Sequence, residues 1–227
     1  MMYFDPLYMM LILPALGLVL WAQFMVKSAY SRYSKVAASS GLSGADVARR
    51  LLRANGVDNV SVEPIRGSLT DHYDPRSKVL RLSEGVYSSR SIAALSIAAH
   101  ETGHALQDKV EYLPMAIRHN LVPVANLGSQ MGFPLFFLGL MFRAPFLAEI
   151  GILVFSLAIA FHVVTLPVEL NASSRALSML TNEGILVDRN EVAAGRKVLN
   201  AAALTYIAAL AMAVMQLLYM IMRADRD

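Results

Sequence analysis

Residues 100–104 read His-Glu-Thr-Gly-His, with two histidines four positions apart and an acid directly after the first. In an α-helix, residues four apart lie on one face, one turn above each other. His100 and His104 can therefore bind one metal ion, and Zn²⁺ suits neutral imidazoles at about 2.0–2.1 Å. Glu101 can take a proton from a metal-activated water and pass it to a leaving amine. The spacing predicts a metal-dependent hydrolase.

This motif needs a helix to hold it, and residues 91–107 predict one, with small and branched apolar residues before the histidines. Residues 43–53 predict a short amphipathic helix that begins at an N-cap serine, Ser43. Strands are expected around residues 60–62 and 78–82, and residues 69–73 are a candidate hairpin partner of the latter across a turn.

A zinc site of this kind needs a third protein ligand, and the sequence offers more than one acid. Glu169 stands at the end of a long apolar stretch. An acid in that position is costly unless it is paired or coordinating, although a hydrated interfacial carboxylate is the plainer alternative. Glu111 follows His104 closely and is the nearest other candidate ligand. Asp108, four residues after His104, is a candidate hydrogen-bond acceptor that orients it.

The composition places these residues in a membrane protein. The chain has 227 residues, of which 56% are hydrophobic and 16% charged, against roughly 25% charged in an average soluble protein. Four stretches lack Asp, Glu, Lys and Arg and are long enough to cross a bilayer as helices: residues 6–26, 119–142, 150–168 and 198–222. The chain has no Cys, which excludes disulfide scaffolds, Cys-ligated zinc and thiol nucleophiles.

The distribution of basic residues predicts the orientation. Of the 20 Lys and Arg, 17 lie in the two connections that follow the first and third spans. The positive-inside rule puts both connections in the cytoplasm and both termini outside. The basic pI then needs no nucleic-acid partner, and we expect none.

The spans also predict the domain organisation. We expect a transmembrane signal anchor at residues 1–26, a cytoplasmic catalytic region at 27–118 and a transmembrane hairpin at 119–168. A cytoplasmic segment with the third metal ligand follows at 169–197, then a transmembrane helix and short tail at 198–227.

Three blocks of the sequence resemble one protein family. They are residues 98–107 around the motif, residues 167–177 around Glu169, and residues 71–83, which begin Asp-His-Tyr-Asp-Pro-Arg. Together they look like the YugP-like neutral zinc metallopeptidases of bacterial membranes, and more distantly like the HtpX and CAAX-prenyl protease group. The likeness extends over most of the chain, including its pattern of spans. One departure is Asn171, where Asp is expected in most relatives.

The resemblance implies one Zn²⁺ held by His100, His104 and Glu169, with Glu101 as general base. It also implies an endopeptidase of the gluzincin type at the membrane surface. The expected fold is a predominantly α-helical integral membrane protein of about four transmembrane helices. Its cytoplasmic part is expected to be a zincin-like α+β region with the motif helix and a small β-hairpin, an edge strand of which binds the substrate backbone.

Other residues have weaker claims to a catalytic role. Arg175, His72 and Tyr73 can each donate a hydrogen bond to the oxyanion of a tetrahedral intermediate. Arg175 is more simply an ordinary arginine at a membrane-helix end, and His72 a hydrogen-bonded hairpin residue. His162 lies two turns before Glu169, about 10 Å along the helix axis, which is too far to share one zinc ion.

The function expected is therefore proteolysis in the cell membrane, with the active site on the cytoplasmic face and membrane-associated proteins as substrates. Two other classes of protein remain open. One is a membrane scaffold or adaptor with a structural zinc site, which would have no need of a general base at position 101. The other is a small transporter that uses His162 and Glu169 as a proton relay, although two such groups are few for an ion path.

Overall fold

The computed structural model describes residues 5–225, so that the first four residues of the predicted signal anchor and the last two of the predicted tail lie outside it. Seven helices and three strands follow in the order α1 (Pro6–Tyr33), α2 (Gly44–Ala54), β1 (Ser61–Ile65), β2 (His72–Asp74), β3 (Val79–Ser83), α3 (Glu84–Tyr87), α4 (Ile92–Lys109), α5 (Leu113–Met141), α6 (Pro145–Asn182) and α7 (Arg189–Ala224).

Four of these helices, α1, α5, α6 and α7, are long and apolar enough to cross a membrane. Many of their large apolar side chains are exposed on the protein surface, as lipid-facing residues are. The fold class predicted from the sequence, a mostly helical membrane protein with a small sheet region, is confirmed. Each helix is longer than its predicted apolar span, and α6 continues without interruption past residue 168 to Asn182.

The three strands form one sheet in the order β1–β3–β2. β1 runs parallel to β3, and β2 pairs with β3 in antiparallel register, with Tyr73 opposite Leu80. The partner strand begins at His72 rather than at residue 69. Leu69 has a φ of 56°, in the left-handed region, which is incompatible with a strand and places residues 66–70 in a loop.

The chain divides into two compact units. The first, here called the membrane unit, comprises the residues up to Gln23, Ala116–Pro167 and the residues from Thr205 onward. The second, here called the site unit, comprises Phe24–Met115 and Val168–Leu204. The finer division into five segments that the spans suggest remains a prediction.

The site unit has a continuous apolar core that includes Leu51 of α2, Leu80 of β3, Leu95 of α4 and Leu180 of α6. Helix α2 presents an apolar face to this core and begins as the sequence predicts, at Ser43. The Ser43 hydroxyl accepts from the Asp46 backbone N–H, and the Asp46 carboxylate accepts from the Ser43 backbone N–H. This capping box satisfies two backbone donors at the helix start.

The membrane unit brings α5 and α6 together through glycines. A Cβ atom added at Gly132 would lie 2.7 Å from the Phe155 Cβ, and one at Gly139 would overlap the Ala148 backbone nitrogen. The same crowding occurs at Gly128 and Gly151. The two helices therefore pack with their backbones in close approach, the arrangement that small residues allow between helices in membranes.

Candidate metal centre

Helix α4 presents the two motif histidines side by side. Its start is fixed by Ser91, whose hydroxyl accepts from the Ala94 backbone N–H. Most of the helix is buried in the site unit, and the His100 and His104 rings meet edge to face with centroids 4.8 Å apart. The expectation that the motif lies on a helix with both imidazoles on one face agrees with this geometry.

Glu169 of α6 completes a cluster with these histidines. Its Oε2 atom lies 3.2 Å from His100 Nε2 and 3.6 Å from His104 Nε2, and Glu169 is 1% exposed. Candidate ligand atoms of all three residues lie within 4.8 Å of one another. Ligands about 2.0–2.1 Å from a tetrahedral zinc ion are themselves about 3.3–3.4 Å apart. The two distances to Glu169 are close to this value, and the types and grouping of the three side chains suit a zinc ion.

A glycine within the motif lets α6 approach α4. A Cβ atom at Gly103 would lie 2.8 Å from the Ala172 carbonyl oxygen and 3.2 Å from the Ala172 Cα, both backbone atoms. Any larger residue at position 103 would push α6 away. Since Ala172 lies three residues after Glu169 on the same helix, this close approach also sets how near Glu169 comes to the histidines.

The second ring nitrogen of each histidine has its own partner. The Ser173 hydroxyl lies 3.2 Å from His100 Nδ1, and the Gln107 side-chain oxygen lies 2.9 Å from His104 Nδ1. These contacts leave both Nε2 atoms directed toward Glu169. Such partners orient metal-binding imidazoles and select the tautomer.

The expected role of Asp108 as the acceptor that orients His104 is not what the contacts show. Asp108 accepts a hydrogen bond of 2.6 Å from the Tyr73 hydroxyl and forms an ion pair with Lys78. Gln107 makes the contact with His104 instead. Helix spacing could have indicated this, because positions three apart also share a face.

Charged groups near the motif alter one another's pKa. Burial disfavours the charged form of His104, but the carboxylates of Glu169 and Glu101 outweigh it and raise its pKa. Asp71, which accepts from the backbone N–H and hydroxyl of Ser83, is close enough to Glu101 to feel its charge. Burial, together with that charge, raises the pKa of Asp71. The surroundings of the motif are thus rich in carboxylates, as a site for a cation requires.

Three further residues singled out from the sequence are Arg175, His72 and Glu111, and each has its own surroundings. Arg175 donates a 2.8 Å hydrogen bond from Nε to the Asn171 side-chain oxygen. His72 is exposed on β2 and its Nδ1 donates to the Thr70 carbonyl oxygen, 2.9 Å away. Glu111 lies just beyond the end of α4, is exposed and is not part of the cluster.

The chain is similar to known proteins over most of its length. Residues 8–225 match the model of a family described as "Putative neutral zinc metallopeptidase". The chain belongs to this family. It is 51% identical over 217 residues to the "Putative membrane protease YugP" of Bacillus subtilis (strain 168), a match that covers 95% of this chain and 96% of that protein. No solved structure matches significantly.

Family membership confirms the resemblance deduced from the three sequence blocks. It implies zinc as the metal and a membrane protease as the class of protein. Four apolar helices in the described part of the chain agree with a membrane location.

Proposed function

We propose that this protein is a zinc-dependent endopeptidase that hydrolyses peptide bonds in membrane-associated proteins. His100, His104 and Glu169 hold one Zn²⁺ per chain, and Glu101 is the general base. The observation that carries this proposal is the convergence of the Glu169 carboxylate on both motif imidazoles, at 3.2 and 3.6 Å. In this proposal the protein is a gluzincin-like peptidase, in which a later glutamate completes the site.

When bound, zinc supplies a Lewis acid that acidifies water and polarises the peptide carbonyl. Glu101, 8% exposed and next to His100, takes the proton of the attacking water and then donates it to the leaving amine. Arg175 and His72 are the proposed hydrogen-bond donors to the oxyanion. Arg175 lies on the same helix as Glu169, six residues on, and is only partly buried.

Strand β2 is the proposed binding edge for the substrate backbone. The order β1–β3–β2 leaves β2 at an edge of the sheet, and the Tyr73 hydroxyl joins it to Asp108 of α4. An extended peptide can add to such an edge through main-chain hydrogen bonds. This would present a peptide bond beside the motif helix.

The orientation follows from charge. With 17 of 20 basic residues on the connections that contain the motif and Glu169, the site faces the cytoplasm and the protein spans the cell membrane several times. Helix α6 contributes Glu169 to the proposed site and is also a candidate membrane span. A site on such a helix favours substrates that are held at the bilayer surface.

The principal alternative is a membrane scaffold or adaptor with a structural zinc site. The cluster alone is compatible with it. The acid at position 101 favours the peptidase, because a structural site needs ligands but no general base.

The first test is the metal content of detergent-purified protein. Wild type is expected to contain about one zinc per chain, and both Glu169→Ala and His104→Ala to lose most of it, because each removes one of three ligands. Elemental analysis measures this directly. Retention of zinc by Glu169→Ala would show that another residue closes the site.

The same preparations test the chemistry. Glu101→Gln is expected to retain zinc but to lose about 10²- to 10⁴-fold in peptide hydrolysis, because the base is gone while the ligands remain. A panel of membrane-anchored and soluble peptides provides the substrates. Unchanged hydrolysis in this variant would reject Glu101 as the base, and a zinc-loaded wild type without any hydrolysis would support the scaffold.

A further inference from the structure

The amide of Gln107 contacts both helices that carry the proposed zinc ligands. Gln107 lies on α4, is completely buried, and makes three hydrogen bonds through its side chain. Its oxygen faces His104 Nδ1 at 2.9 Å. Its nitrogen donates to the Val168 carbonyl oxygen at 2.8 Å and to the Asn171 side-chain oxygen at 3.0 Å, both on α6.

These contacts leave one orientation for the amide. The Gln107 nitrogen must face Val168 and Asn171, since both present oxygen atoms that only accept. The Gln107 oxygen must then face His104, and it can only accept. His104 therefore donates from Nδ1, which fixes the tautomer whose Nε2 carries the lone pair.

The position of these contacts along α6 gives them a second effect. Val168 and Asn171 stand immediately before and two residues after Glu169. A hydrogen bond to each holds the turn of α6 that carries this carboxylate. One side chain thus orients a ligand on α4 and positions the helical turn that presents the ligand on α6.

We propose that Gln107 is a positioning residue of the metal centre that locks the His104 tautomer and fastens Glu169 in register with it. The inference rests on the proposed zinc site. A side chain that does both must accept on one end and donate twice on the other, which an amide can do and a carboxylate cannot.

The network contains a second amide, that of Asn171. Its oxygen accepts from two donors, whereas the Gln107 nitrogen donates to two acceptors. The Asn171 oxygen receives two N–H groups, from Gln107 and from Arg175 Nε at 2.8 Å. A carboxylate at position 171 would accept both. A carboxylate at position 107 would instead direct one oxygen at two other oxygens, which is repulsive in a buried site. The same amide-to-acid change is therefore expected to have opposite results at the two positions.

The experiment compares Gln107→Glu with Asn171→Asp in full-length protein in detergent. Zinc affinity is measured by competition with a chromophoric chelator, and the metal-free protein is followed by thermal unfolding. Gln107→Glu is expected to bind zinc about 10–100-fold more weakly, the usual loss when a group that orients a ligand is disturbed, because repulsion from the oxygens of Val168 and Asn171 displaces the side chain. Asn171→Asp is expected to stay within about threefold of wild type, because its two donors remain satisfied.

Gln107→Met is the control for the buried charge that Gln107→Glu introduces. It keeps the length of the side chain but cannot make its hydrogen bonds. It is expected to weaken zinc binding about as much as Gln107→Glu, while the metal-free protein stays folded with a lowered melting temperature, because three buried partners lose their hydrogen bonds. When Co²⁺ replaces zinc, the visible spectra of Gln107→Glu and Gln107→Met should differ from that of wild type. A role of Gln107 in packing alone would not produce this difference.

Zinc binding in Gln107→Glu as tight as in wild type would overturn the inference, as would equal losses in Gln107→Glu and Asn171→Asp. Unfolding of metal-free Gln107→Met would make Gln107 a packing residue and also overturn it. Absence of zinc binding in wild type would reject the proposed metal site itself, whereas tight binding by wild type and by Gln107→Glu alike would reject only the role of Gln107.

Discussion

The site unit and the membrane unit differ in the kind of contact that holds their interiors together. Ten polar or charged residues are buried in the described part of the chain; nine of them lie in the site unit, and only Thr165 lies in the membrane unit. The site unit binds its buried groups to one another, as Gln107 binds His104. The membrane unit relies instead on close backbone contact at residues such as Gly132.

This difference teaches where precision is needed. A buried polar network is costly if one partner is displaced, so its members specify one geometry. Contacts between glycine-rich helices depend on shape and contain no group that a metal or a substrate could use. We therefore expect perturbations of the buried polar network in the site unit to alter metal binding and chemistry, and perturbations of the membrane unit to alter stability alone.

The largest expected contrast comes from two glycine-to-alanine substitutions. Gly103→Ala forces a Cβ against the Ala172 backbone and must displace α6 relative to α4. Overpacking of this kind costs about 1–3 kcal/mol, more than the helix propensity that alanine restores. Zinc affinity should fall about tenfold or more, as when a group that orients a ligand is displaced. Chelator competition and thermal unfolding measure the two effects.

Gly132→Ala is the matched change in the membrane unit. Its Cβ would press on the Phe155 backbone, and the melting temperature in detergent should fall by a comparable amount. Zinc affinity should not change. Loss of zinc in Gly132→Ala, or intact zinc binding in a destabilised Gly103→Ala, would contradict the division of roles between the units.

A smaller effect is expected at the capping box of α2, far in sequence from the cluster. Hydrogen bonds from the Ser43 hydroxyl and backbone N–H lower the pKa of Asp46 below its usual 3.8. A carboxyl group whose pKa is lower in the folded state stabilises the fold at any pH above the pKa of the unfolded state. This stabilisation is lost as the pH falls through the pKa of the folded state. Asp46→Asn should therefore cost about 0.5–1 kcal/mol at pH 7 and less near pH 3.

Melting temperatures of wild type and Asp46→Asn at the two pH values check this. The exposed Asp58, exchanged for Asn in the same unit, is the control. Activity should be unchanged in both variants. A destabilisation that does not shrink at low pH would show that the carboxylate is not the stabilising group.

The smallest effect is expected at His162, the histidine of the membrane unit. It lines a cavity of about 420 Å³ with Gln23, Ser129 and other residues of the long helices. His162→Leu should leave peptide hydrolysis within about threefold of wild type, because no proton of the proposed reaction passes through it. Abolished hydrolysis, with zinc still bound, would place chemistry in the membrane unit and revive the proton-relay hypothesis.

Much of the site could be predicted because its elements are local. The spacing of His100 and His104 determines their common face once a helix is assumed, and the start of that helix at Ser91 has a local cause. The four long helices follow from composition alone. Glu169 could be proposed from the cost of an acid at the end of an apolar helix, but nothing local brings it to the histidines.

What could not be predicted depends on contacts between distant segments. The parallel pairing of β1 with β3 joins strands whose sequences do not encode their partner. The choice of Gln107 over Asp108 depends on how Tyr73 and Lys78 approach α4 from the sheet. The first strand of the hairpin begins at His72, three residues after the predicted start. The reason is that Leu69 takes a left-handed backbone conformation, which its side chain does not favour.

The continuity of α6 has a consequence for biogenesis. The ribosome makes His104 before the 65 residues that end at Glu169, an interval of roughly 3–13 s at about 5–20 residues per second. During that time the nascent chain has the two histidines without Glu169. The proposed metal centre can close only once Glu169 has been synthesised, so the unfinished chain lacks a complete site for the proposed hydrolysis.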